Sequence, residues 1–151
     1  MPCLNAAFAE ECVQRLARLS PDARPVWGNM TVPQLLGHLN MVVRHTMGER
    51  PAQVPYKGNF KSRHIYRHLI LGGLLAIPRN IRMPRPPELK SAPMPECMLE
   101  QLRETLNEYL LHCQEGKLQP QLHPFFGQLT AREWTKFHAA HFKHHLTQFG
   151  V

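Results

Sequence analysis

Apolar residues recur along this chain at intervals of three and four, the period of a helix with one buried face. Between positions 5 and 19 the pattern places Phe8, Cys12, Leu16 and Leu19 on one side, and Ser20-Pro21-Asp22 breaks it. After a connection holding Trp27-Gly28-Asn29, Thr31-Val-Pro-Gln34 reads as a helix start. Thr31 is placed to cap, Pro33 suits the first turn, and Gln34 completes a capping box. The helix behind it carries Leu35, Leu39 and Val42 beside Leu36 and Val43, and Gly48 closes it.

A third helix is predicted over 61–77, ending at Pro78; its run Leu69 to Ile77 is apolar throughout and reads as the face of a buried helix. Pro78 to Pro95 holds six prolines in 18 residues, which remove amide donors and favour an extended crossover. A fourth helix, 96–113, turns Leu99, Leu102, Leu106, Tyr109, Leu110 and Cys113 inward. A loop with His123-Pro-Phe-Phe-Gly127 leads to a second capping box, Thr130-Ala-Arg-Glu133. That box opens a last helix through about Gln148. No segment alternates with period two. The expectation is an all-α fold: one domain over 1–151, an antiparallel four-helix bundle with one long proline-rich crossover and room for a short fifth helix.

Composition narrows the class. Of 151 residues, 43% are hydrophobic and 19% charged, which excludes a disordered chain. No apolar run approaches the roughly 18 residues of a membrane span, and the N-terminus lacks a basic region followed by an apolar stretch. The expectation is a cytoplasmic chain with no membrane partner. Cys3, Cys12, Cys97 and Cys113 show no paired spacing, so they are expected as reduced thiols. The net charge is +7, but the arginines scatter from Arg15 to Arg132, and the densest basic stretch, Lys57 to Arg85, overlaps the proline-rich segment. So diffuse a charge argues against a nucleic-acid partner and suits attraction of anionic small molecules.

The unusual quantity is ten histidines. On a helical wheel with Trp134 at zero, His138 falls at about +40°, His141 at −20°, His145 at +20° and Gln148 at −40°. Phe137 and Phe149 flank this arc at about −60° and +60°, which turns it toward the core; His144, at about −80°, lies to its side. His38 sits among Leu35, Leu39 and Val42 and also points inward. One histidine from one helix and an i, i+4 pair from another suit a three-nitrogen metal site. Cβ atoms at that spacing stand about 5–6 Å apart, within reach of one ion at Zn–N distances of about 2.0–2.1 Å. Spacing alone leaves open the plainer reading of core histidines bonded to carbonyls.

Two stretches carry a family likeness. Trp27-Gly-Asn-Met-Thr-Val-Pro-Gln-Leu-Leu-Gly-His38-Leu and His141-Phe-Lys-His-His145-Leu-Thr-Gln148-Phe-Gly resemble the DinB-like family of metal-binding four-helix bundles. The likeness runs from about residue 10 to the C-terminus. It is narrower to a branch of unknown function with a His-His-Leu-x-Gln-Phe-Gly tail and a His-Pro-x-Phe-Gly loop, matched by His123 to Gly127. The resemblance implies His38, His141 and His145 as ligands of a divalent metal, Zn2+ or Ni2+, with Gln148 orienting His145. It also implies chemistry like that of thiol-dependent transferases and isomerases: an ion with three neutral ligands would activate a small-molecule thiol against an electrophile, or a water.

His138 and His123 are candidate acid–base groups at such a site; the plainer readings are a satisfied core histidine and a loop fixed by hydrogen bonds. His112, after a core leucine near a helix end, and His64 and His68, among Lys61, Arg63 and Arg67, read as structural or solvated. Trp27 and Trp134 read as core anchors, and no carboxylate has an evident place beside the metal. The alternative function is a non-enzymatic metal-binding or stress-associated helical module, for which a homodimer through an exposed helix face would fit.

Overall fold

The computed structural model describes residues 3–49, 56–79, 81 and 95–151. Among these the chain is mostly helical, with one small sheet. α1 spans Ala6–Leu16, α2 Val32–Thr46, α3 Arg67–Leu71, α4 Pro95–Gln114 and α5 Ala131–Phe149; a π-helical turn, Ser62–Tyr66, runs directly into α3. None of the described helices is long and apolar enough to cross a membrane, and the four cysteines are free thiols.

Local chemistry sets the helix starts. Asn5 Oδ1 accepts from the Phe8 amide at the head of α1. Thr31 and Gln34 exchange hydrogen bonds at 3.0 and 3.3 Å ahead of α2. Thr130 and Glu133 do the same ahead of α5, at 2.9 and 3.3 Å. Each box satisfies two amides that the first turn leaves without partners. Gly150, in the left-handed region at φ 72°, closes α5.

α1, α2, α4 and the C-terminal half of α5 enclose the larger core, where Cys12, Leu35, Leu102, Tyr109 and Phe142 are fully buried. A smaller core joins Ile70 and Leu71 of α3 to Phe126 and Leu129 and to Trp134 and Phe137 of α5. α5 therefore belongs to both, and its inward arc runs from one into the other.

The structure departs from the sequence expectation in four places. The third helix ends at Leu71, not at Ile77. Gly73 takes φ 77°, its amide donates to Ile70 and that of Leu74 to Leu69, the paired bonds that terminate a helix at a left-handed glycine. The predicted apolar face beyond that point is absent, and Leu74 is 80% exposed. The chain is not purely helical: β1 (Gln121–His123) pairs antiparallel with β2 (Gly127–Leu129), His123 facing Gly127. Trp27 is half-buried in its connection rather than a core anchor, with the Arg79 guanidinium 4.1 Å above its ring. Leu111, taken as the core leucine before His112, is exposed. The proline-rich crossover lies largely outside the described residues.

Candidate metal centre

α2 contributes His38 and α5 contributes His141 and His145, the last two stacked one turn apart. The Nε2 atoms meet: His141 Nε2 lies 3.0 Å from that of His38 and 3.1 Å from that of His145. All three rings are buried, at 9%, 7% and 6% exposure, and all three ligand atoms fall within 4.8 Å of one another. The rings stand edge to face, with centroids 4.7 to 5.0 Å apart.

Burial, the largest cause, holds these imidazoles neutral, and the neighbouring histidines act in the same direction. Desolvation lowers His38 to about 4 and His145 to about 3, and it drives His141, flanked by the other two, well below the usual range. Neutral imidazole is the form that binds a metal ion. Gln148 settles which nitrogen of His145 carries the proton. The Gln148 amide donates through Nε2 to the Trp27 carbonyl at 3.0 Å, which leaves Oε1 to accept from His145 Nδ1 at 2.8 Å. His145 Nε2 therefore presents a lone pair to its neighbours.

The three nitrogens fit a cation better than they fit each other. A single proton on His141 Nε2 can serve both neighbours only as a shared, bifurcated bond. His141 Nδ1 is buried without any hydrogen-bond partner, so the rest of the protein does not satisfy this ring either. Tetrahedral coordination at about 2.0–2.1 Å sets ligand nitrogens about 3.3–3.4 Å apart, a few tenths of an ångström wider than the two contacts seen. Among the described residues no carboxylate or thiol joins the group, so three ligand atoms are available there to a metal ion.

Sequence comparison places the chain. The family profile described as "Protein of unknown function (DUF1569)" matches residues 4–150. The chain belongs to the DUF1569 family. No curated protein and no solved structure matches it. The match of the DUF1569 profile takes in all three histidines, Gln148 and the Trp27 connection.

The other predicted site residues of this DUF1569 chain sit elsewhere. His138, completely buried, donates from Nε2 to Thr46 Oγ1 at 3.2 Å, while that hydroxyl donates to the Val43 carbonyl. His123 is inside the hairpin, where Nδ1 accepts from the amides of Phe125 and Phe126 at 3.2 Å each. Burial lowers both to about 3. Neither belongs to the three-nitrogen group; His123 has the hydrogen bonds that its plainer reading requires, whereas His138 has one at Nε2 and its Nδ1 is buried without a partner. His144 flanks the site half-buried, its ring 5.1 Å from that of His145. His64 and His68 are exposed on the segment leading into and through α3.

The sequence reading missed one contributor to the site. The Trp27 carbonyl left no trace in the residue pattern, because a backbone acceptor is the same for every residue type. His45, seven residues after His38, serves the hairpin instead, where its Nε2 donates to the Leu122 carbonyl.

Proposed function

We propose that this DUF1569 chain is a divalent-metal-dependent enzyme on a DinB-like antiparallel four-helix bundle. His38, His141 and His145 would hold Zn2+ or Ni2+, and the substrates would be a low-molecular-weight thiol and an electrophile, with water as the other nucleophile the site would admit. The observation that carries the reading is the convergence of three neutral, buried Nε2 atoms with no fourth protein ligand among the described residues. Three neutral ligands and an open position characterise catalytic rather than structural zinc. An ion held there would supply Lewis acidity that ionises a thiol or a water near neutral pH.

The chain's own residues would do the rest. His145, oriented by Gln148, would hold the ion together with His38 and His141. Phe137, stacked on His141 with ring centroids 5.2 Å apart, keeps water from that flank. Hydrolysis commonly draws on a carboxylate base, and none stands in the group among the described residues; a thiol, which needs only ionisation, suits the site better.

Elemental analysis of tag-free protein beside His38→Ala and His141→Ala tests the proposal. The expected result is one divalent ion per chain, lost in both variants, followed by turnover in a screen of small thiols against electrophiles. Protein that is metal-free and gains no thermal stability from added Zn2+ or Ni2+ would overturn it. Metal bound without turnover of any thiol or hydrolysable ester would select the non-enzymatic metal-binding module instead.

A further inference from the structure

We infer that the Trp27–Gly28 loop is a positioning element for His145, acting through the Gln148 amide; the inference rests on the three-histidine reading above. A side-chain amide has two ends of opposite chemistry, and either can face an imidazole nitrogen. If Gln148 turned its NH2 toward His145, Nδ1 would have to accept, and the ring proton would move to Nε2, where it would point into the metal group. The Trp27 carbonyl removes that choice, because a carbonyl only accepts. It takes the NH2 end at 3.0 Å, the oxygen end then faces His145 at 2.8 Å, and the Nε2 lone pair is left for the ion.

The loop is fastened to α5 at a second point, since the Val26 amide donates to the Gln148 backbone carbonyl at 2.7 Å. Trp27 itself is held between Arg79, 4.1 Å above its ring, and the edge of His144 at 5.8 Å between centroids. Gly28 makes this approach possible in two ways. Its φ of 79° is in the left-handed region that side chains disfavour, and a Cβ there would stand 3.1 Å from Gln148 Nε2. A methyl group at position 28 therefore pushes on the same amide that sets the His145 tautomer.

The test uses the full chain with Gly28→Ala and Gln148→Ala, singly and combined. Two quantities are read: the Zn2+ dissociation constant by chelator competition, and the side-chain 15N shifts of His145 in metal-free protein. Gly28→Ala should weaken Zn2+ binding about tenfold, toward the low end of the range for losing a ligand's orienting partner, and shift His145 from the Nδ1–H form to a mixture. In the Gln148→Ala background the added methyl should do nothing more, because the atom it pushes is gone. A role confined to loop stability would instead leave the tautomer alone. Trp27→Ala frees the loop from Arg79 and His144 while keeping the carbonyl, and it should act in the same direction if Gly28→Ala fails to fold. An unchanged tautomer and affinity in the loop variants, or effects that multiply in the double variant, would overturn the inference. If the unmodified protein bound no Zn2+, the metal reading would fall, and the tautomer shift alone would still decide whether the loop positions His145.

Discussion

α5 brings buried histidines into two settings along one helix, and the two settings differ in what the ring nitrogens face. In its second half, His141 and His145 turn Nε2 toward each other and toward His38, leaving one another as the nearest partners. In its first half, His138 reaches a hydroxyl, and the adjacent hairpin's His123 receives two amides, both rings packing about Trp134 at 5.5 to 5.6 Å. Burial depresses the pKa in both places, to about 3 for His123, His138 and His145 alike. A depressed pKa therefore does not distinguish a ligand from a packed core histidine. The distinction lies in what each Nε2 meets: that of His138 meets a hydroxyl, although its Nδ1 is as unpartnered as that of His141, whereas the Nε2 atoms of the converging group meet one another.

The largest effect should come from separating the two settings by mutation. His141→Ala should abolish stoichiometric metal binding, whereas His138→Ala should leave the metal content unchanged, as measured by elemental analysis of the two proteins side by side. Metal loss in both would erase the contrast. Acid should act next, and on both settings at once. Unfolded histidine titrates near 6.5, while these folded rings resist protonation down to about 3 or 4. Between those values the unfolded chain binds the extra protons, so metal-free protein should lose stability as pH falls below about 6.5. Each histidine contributes up to about 1.4 kcal/mol per pH unit, and little of this dependence should remain above 7. Urea midpoints at pH 7.5, 6 and 5 measure it; a flat profile would contradict the buried neutral rings.

A smaller effect sharpens the packed setting alone. His138→Ala should cost about 2–4 kcal/mol by chemical denaturation, the range for emptying a large buried side chain, and the Thr46 hydroxyl would lose its donor. The smallest effect falls on the converging setting. Gln148→Ala should weaken Zn2+ binding about 10- to 100-fold, with only a modest fall in the metal-free urea midpoint from the His145 nitrogen and Trp27 carbonyl left unpaired. A large fall in that midpoint would mark Gln148 as structural instead.

How much of this was legible in the residues depended on range. The capping boxes Thr31/Gln34 and Thr130/Glu133 formed as read, because a box is a bond between groups three residues apart. The inward arc of α5 was legible for the same reason: helical period alone places His138, His141, His145 and Gln148 on one side. The hairpin was not, since three residues per strand are too few to show an alternation and its pairing depends on the turn at Gly127. The end of α3 was misread because an apolar run from Leu69 to Ile77 outweighed the two glycines inside it. Trp27 was misplaced because a large aromatic predicts burial but not against what.

The sequence by itself therefore determined where α2 and α5 begin and which face of α5 carries histidine, properties of neighbours a few bonds apart. Only the tertiary structure decided that His38 meets His141 across 103 positions of chain, and that His138, on the same arc, meets a threonine instead. It also decided that a backbone carbonyl at Trp27 orients Gln148. Such contacts depend on where separate elements come to rest, and burial there makes an unpartnered nitrogen costly. A helical wheel can show that a nitrogen points inward, but what it meets depends on the packing of the other elements.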